Sequence, residues 1–361
     1  MIRIRRGAVI KIISNHGNTT IVNVSYDGKI EKTINYNNLT GHIMLHDIVY
    51  INTSANYLNL GSGGYNYIII NETRGSTLDI NDIGHIMKLR YTPYQIKCNY
   101  PYEKNSEYSN EIEKFKSLDN MIVISGELHS MLVPTAYCLK FLKPDIKITY
   151  IMTDGGSLPI DFSFNVNKLK AIDIISSTIT YGNSYGGDME ALNIYDALVI
   201  AKTILKCDII IITMGPGAVG TGTKYGFSGI EQGNIIDAVN TFHGIPVVIP
   251  RLSFNDLRER HYGISHHTLT VLSEITKTKA YITFPVIETN KMNYIKKQLE
   301  EQKINDKHYI KYINSNVLYS AIEYYKFRCT TMGRSFSQDR EFFLACSCAS
   351  QYSIDILNNS I

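Results

Sequence analysis

Tryptophan is absent from this chain, and no stretch of about 18 uncharged apolar residues occurs in it. The second absence removes a membrane-spanning helix from the expectation. Excess charge is lacking too: 36 Lys and Arg against 33 Asp and Glu leave a formal net charge of +3. That is too little to argue for a nucleic-acid or membrane partner. The start, MIRIRRGAVIKII, is basic, but its apolar run is short and no small-residue cleavage site follows, so no signal peptide is expected. The cysteines (Cys98, Cys138, Cys207, Cys329, Cys346 and Cys348) form no CxxC and complete no zinc pattern. Buried reduced thiols and a cytoplasmic protein follow as expectations. Neither GxGxxG nor GxxxxGK[ST] is present, nor HExxH, and Ser157 in GGSLP lacks the GxSxG elbow.

What remains is an ordinary globular balance, 44% hydrophobic and 19% charged over 361 residues, enough for about two domains. Residues 1–95 read as strands, with alternating or β-branched segments at Val9–Ile12, Thr20–Val24, Ile30–Ile34, Ile48–Asn52 and Tyr67–Ile70. Asp27-Gly28 between two of them is a type I′ hairpin signal, and Gly61-Ser62-Gly63-Gly64 is a further turn. A small β-barrel or sandwich is expected there. Residues 96–118 are polar and charged and read as a linker. From 119 to 361, strands alternate with helical stretches, the pattern of a mostly parallel, Rossmann-like α/β domain, followed by a helical tail. In the tail, Arg334 and Arg340 are candidates for reaching the cleft of a partner subunit in a homo-oligomer.

Asp208–Arg251 is the most informative stretch. An isoleucine-rich strand breaks at Gly215-Pro216-Gly217, glycines recur at Gly220 and Gly222, and a helix and second buried strand follow. In open parallel sheets, ligands bind outside the carboxyl ends of the strands. Gly215, Gly217, Gly220, Thr221, Gly222, Thr223, Glu231 and Arg251 are therefore the candidate ligand-binding residues, with main-chain N–H groups expected to meet an anion. Other strand ends bring His129, Asp154, Asp188 and the His266-His267 pair, the candidate catalytic set. Each has a plainer alternative: Asp188 and Ser265 read equally as helix caps, and His129 as a main-chain hydrogen-bond partner. Imidazole and carboxylate suit acid–base chemistry or a divalent metal. Without a spacing motif no metal ligand is assigned, and the cofactor stays open.

Taken together, RRGAV, NNLTG, LGSGGYNYIIIN, HIMKLRYTP, GELHSMLVP, MTDGGSLP, GGDMEALN, MGPGAVGTGTKYGFSGIEQG and SHHTLT resemble a bacterial family catalogued only as a domain of unknown function. The resemblance runs to about residue 285 and implies an intact cytoplasmic fold without implying a chemistry. A shorter one covers residues 178–250, where GPGAVGTGTKYGFSGIEQGNIIDAVNTFHGIPVV is similar in spacing to glycine, sarcosine and betaine reductase components. Those enzymes use a selenocysteine or cysteine redox centre, and no Cys stands in the corresponding loops here. The expected function is an enzyme acting on a small, anionic metabolite at the carboxyl edge of the sheet. The alternative is a metabolite-sensing or assembly protein with the same cleft and no turnover.

Overall fold

The computed structural model describes residues 1–61, 63–75, 84–104 and 106–359. Its first strand, β1 (Ile4–His16), is long and irregular in register against β2 (Thr19–Tyr26), with shifts near Lys11 and Ser14 that let it curve. The Asp27-Gly28 pair takes positive φ at both residues, 47° and 73°, so β2 turns tightly into β3 (Lys29–Tyr36). Next come β4 (Ile48–Asn52) and β5 (Asn66–Asn71), with β3 and β5 parallel and β1 also pairing β4. The result is a closed five-stranded barrel, which decides between the two expected architectures. Its interior holds Val9, Val22, Val24, Val49, Ile51 and Ile68, inward members of alternating strands, with Ile43 added from the connection before β4. The expected turn at Gly61–Gly64 includes Ser62, which lies outside the described residues.

A short hairpin of β6 (Ile86–Lys88) and β7 (Ile96–Cys98) follows the barrel. One compact unit comprises Met1–Cys98 together with Asp161–Lys168, a segment far along the chain. Thr19 donates to the Asp161 carbonyl and His16 packs edge-on against Phe164, which ties that segment in. The other unit comprises Asn99–Ile160 and Leu169–Ile361. At its start Leu118 is wholly buried, and its N–H donates to the Phe242 carbonyl.

The second unit is built on β8 (Ile122–Gly126), β9 (Ile148–Thr153), β10 (Ser177–Tyr181), β11 (Met189–Ala191), β12 (Ile209–Met214) and β13 (Ile245–Ile249). After the short antiparallel pair β14 (Leu252–Ser253) and β15 (Gly263–Ile264) come β16 (Tyr281–Pro285) and β17 (Tyr309–Ile313). Eight of these strands form one all-parallel sheet, ordered β11-β10-β9-β12-β8-β13-β16-β17. Every residue of β8, β9 and β12 is buried, as continuous apolar runs covered on both faces require. Ile210 and Ile212 face the helices Ile194–Thr203 and Gln232–Thr241. By strand alternation Ile209 and Ile211 face the other layer, where the helices Leu132–Leu142 and Arg340–Asn359 pack.

Two local readings are corrected. Asp188 caps no helix: Met189–Ala191, next to it, is the edge strand β11, and the helix begins at Ile194, where Asn193 and Asp196 form a capping box. The expected helical tail also contains a strand, β17, between two of its helices. Cys138, Cys207, Cys346 and Cys348 are buried thiols, and burial pushes the Cys207 thiol up to about 11. No helix among the described residues is long and apolar enough to cross a membrane.

Because Ile211 is fully buried in the central strand, Ile211→Ala is expected to lower the unfolding free energy by about 2–5 kcal/mol. Urea denaturation measures it, and a loss below about 1 kcal/mol would contradict a close-packed central layer.

Candidate functional site

Connections leave β8 and β13 in opposite directions, since β8 leads to β9 on one side of it and β13 leads to β16 on the other. Neighbouring strands that part in this way leave a crevice at their carboxyl ends. There the chain places Glu127, just after β8, and Arg251, just after β13. A cavity of about 100 Å³ opens beside them, lined also by Val219, Gly220, Gly222, Phe227, Arg258, Arg260, His261 and His267. It has the size of a small-molecule subsite.

Arg251 is only 5% exposed and Glu127 only 2%. Arg251 Nη1 lies 3.3 Å from Glu127 Oε1, while Nη2 lies 3.8 Å from Asp256 Oδ2 and makes no hydrogen bond. Asp256 is gripped on two sides, by Arg258 Nε at 2.9 Å and Nη2 at 2.8 Å, and by Arg334 at 3.4 Å. The Arg258 hydrogen bond leads the causes that hold its carboxyl well below the usual carboxylate range. Burial alone would raise Glu127, but hydrogen bonding with His267 and the Arg251 charge keep it below its ordinary value. Thr268 also donates to Glu127 Oε2 at 3.2 Å. Glu127 is thus an ionised, fully engaged carboxylate inside the protein.

Three imidazoles gather on the same side. His261 ends the 3₁₀ turn Glu259–His261, Gly263 reverses the chain at φ 71°, and Ser265 caps the helix His266–Thr270 by accepting from the His267 N–H. A Cβ on Gly263 would sit 2.4 Å from Gln298 Oε1, so only glycine fits this reversal. His261 Nδ1 lies 2.8 Å from Ser265 Oγ, and His267 Nδ1 lies 3.5 Å from Glu127 Oε1. The His267 ring stacks on Phe227 with centroids 3.9 Å apart and planes 2° from parallel. Burial first, then neighbouring positive charge, lowers His261 to about 3 and His266 to about 4, so both are neutral at physiological pH.

The sequence-derived candidates divide among several places. His266, His267, Arg251, Gly220 and Gly222 come to this cleft. Asp154 and Glu231 meet elsewhere, at the carboxyl ends of β9 and β12, another pair whose connections part. Thr153 donates to Glu231, and Asp154 Oδ1 accepts from the Asn183 N–H at 2.7 Å. His129 lines neither place: its Nδ1 lies 3.2 Å from Tyr150 Oη, it also bonds the Met214 backbone, and burial lowers it to about 4. Asp188 is a correction, because it precedes the edge strand β11 and so stands at the amino edge of the sheet. It accepts from the Thr178 N–H at 2.8 Å and pairs with Lys170, a fold-building role. Arg334 pairs with Asp339 and Asp256 of its own chain, and Arg340 lies over the Tyr319 ring.

The glycine loop is partly closed on itself. Thr221 N–H donates to Gly226, Val219 N–H to Ser228 Oγ, and Ser228 N–H to Val219, so the loop closes on itself as a hairpin. Thr221 and Thr223 bond each other, Lys224 pairs with Glu274, and Gly215 packs near the Met152 sulfur. Gly217 takes φ 105° and lies outside the cavity wall. The loop walls the cleft, and the positive charge comes from arginine side chains. Glu127, Asp256, Arg258, Arg260 and His261 were not singled out in the sequence. For all of them but Glu127 the signal was DLRERHYGISHH, a run of arginines and three histidines around one glycine.

One family model, described as "Protein of unknown function (DUF3866)", matches residues 32–350 of the chain. The chain belongs to that family. All the cleft residues named above fall inside the match to DUF3866. No curated protein and no solved structure matches the chain, so nothing further supports the partial likeness to reductase components.

Burial, with the Asp154 charge adding and the Thr153 hydrogen bond opposing, pushes Glu231 up to about 7. The folded protein therefore binds this proton more tightly than the unfolded chain, and stability falls as pH rises from about 4.5 to 7. Glu231→Gln removes that loss. It is expected to be more stable than the parent by roughly 2 to 3 kcal/mol at pH 8 and equal to it near pH 4. Thermal unfolding across that range checks this, and a difference independent of pH would count against the buried carboxyl.

Proposed function

We propose that the protein is an enzyme acting on a small anionic metabolite in the cleft beyond β8 and β13. The observation that carries this reading is Arg251. Its guanidinium is buried, lines the cavity and keeps Nη2 without a hydrogen bond. A buried donor left unpaired costs free energy, and an anionic oxygen in the cavity would satisfy it. Arg260 adds an exposed cation at the rim with no ion pair among the described residues, its Nη1 close to Gly222. Glu127 and the imidazoles supply groups for acid–base or metal-assisted chemistry on whatever the arginines hold, within reach of the same space. Phe227 and the glycine loop shield one side from water.

The test is calorimetric titration with inorganic phosphate and with a panel of small phosphorylated and carboxylated metabolites, followed by product analysis. A ligand is expected whose affinity falls at least tenfold in Arg260→Ala and with rising salt, while Lys224→Ala, altered at a pair outside the cavity, binds normally. Arg260→Ala binding as well as the parent would refute the anion site. A bound ligand recovered unchanged under all conditions would leave a sensor and remove the enzyme.

A further inference from the structure

We propose that His261, His266 and His267 together hold one divalent transition-metal ion, leaving its open coordination position toward the cavity. This deepens the reading of the same cleft and rests on it only for what fills that open position.

One nitrogen of each ring lies within 4.8 Å of one from each of the others. The ring centroids are 4.3 to 5.1 Å apart. Metal–imidazole bonds of about 2.0–2.1 Å in a tetrahedral set place the nitrogens roughly 3.4 Å apart. Side-chain rotation of about an ångström closes that difference.

The rings are held as metal-binding histidines are held, by their far nitrogens. His261 Nδ1 faces Ser265 Oγ, which already accepts from the His267 N–H and has a second lone pair for an Nδ1–H. His267 Nδ1 faces the Glu127 carboxylate, and its ring is stacked face to face on Phe227. In both rings this leaves Nε2 as the nitrogen with a lone pair to give. His266 Nε2 is buried and without a hydrogen-bond partner, an independent mark of something missing from its surroundings. Arg251 Nη2, nine-tenths buried in the same cavity wall, likewise makes no hydrogen bond.

Donor type narrows the ion. An all-imidazole set suits zinc, cobalt, nickel, copper or iron, whereas magnesium and calcium require oxygen ligands. Charge permits it: Arg251, Arg258 and Arg334 are matched by Glu127, Asp256 and Asp339, so the ion would not enter an already cationic cluster. Added to that neutral network, a dication with Arg260 would make the cavity strongly attractive to anions. The structure assigns Glu127 as a positioning residue through His267, with no bond of its own to the ion.

The test uses full-length protein stripped with a chelator and titrated with Co²⁺ and Zn²⁺. Visible absorption reports cobalt geometry, and competition with a chromophoric chelator reports affinity. One equivalent per chain is expected, with cobalt bands of nitrogen coordination. His261→Gln and His266→Gln are expected to weaken binding at least tenfold each, and Glu127→Gln by about 10- to 100-fold. His243→Ala, at an exposed histidine elsewhere, should bind like the parent. Near-UV circular dichroism confirms that each variant is folded. Non-saturating binding, or unchanged affinity in both His261→Gln and His266→Gln, overturns the proposal. Phosphate titration of the stripped protein separates the two readings. Phosphate binding without stoichiometric metal binding sinks the metal and spares the anion site, and metal binding without phosphate does the reverse.

Discussion

Everything at the cleft hangs on the contact between Glu127 and Arg251. The two residues follow neighbouring strands that point the same way, so the sheet itself sets their separation. Neither could be buried alone, because an unpaired ion in the interior costs several kcal/mol. Paired, they still need further partners, and the chain supplies them. Thr268 Oγ1 donates to Glu127 and accepts from the Arg251 N–H, and the Arg251 carbonyl accepts from the Ser265 N–H. Those bonds reach into the very segment that carries His266 and His267. The ion pair therefore positions the imidazoles as well as stabilising itself. Losing either charge would disturb the pair, the helix start and the histidine loop together.

The arrangement follows from strand order. A parallel sheet in which β12 is inserted between β9 and β8 has two places where adjacent connections diverge. One gathers Glu127, Arg251 and the histidine loop, and the other gathers Asp154, Glu231 and Tyr181. The two differ in character. The first is rich in cations and neutral imidazoles. The second is a cluster of carboxyl and hydroxyl groups in which one acid, Glu231, is pushed up to about 7. His129 stands between them, spanning the start of one helix and the Met214 end of β12.

This explains which parts of the molecule were legible beforehand. Buried apolar runs gave the strands, and the Asp27-Gly28 turn gave a hairpin, because both depend on local chemistry. The carboxyl-edge location of Arg251, Asp154, His266 and His267 also follows from strand-then-loop grammar. Strand order does not, since it is decided by long-range packing, so one expected site resolves into two places. Asp188 was misassigned for a narrower reason: Gly186-Gly187-Asp188 looks like a helix entry, yet its carboxylate satisfies the Thr178 N–H and starts an edge strand. His261 was hidden in a polar loop whose single glycine, Gly263, folds it back on the His266-His267 pair.

The glycine loop shows most directly how the groups around the cavity are shared out. A phosphate loop works by aiming free main-chain N–H groups at an anion, and this loop uses several of its own on itself. Its φ-positive glycines serve a tight hairpin that borders the cavity, with Gly220 paired to Phe227 and Gly222 near Arg260. Positive charge at the cavity wall is supplied by the arginine side chains Arg251, Arg258 and Arg260. Most of the arginine charge is already matched by Glu127, Asp256 and Asp339, which leaves Arg260 without an ion pair among the described residues and Arg251 Nη2 without a hydrogen bond. Two unit charges 4 Å apart near a protein surface interact by about 4 kcal/mol, so even one such contact separates an anion from a neutral analogue. On the proposed anion-binding reading, selectivity would rest on so few groups that a single substitution at the rim changes it, while the buried pair beneath preserves the shape of the cleft.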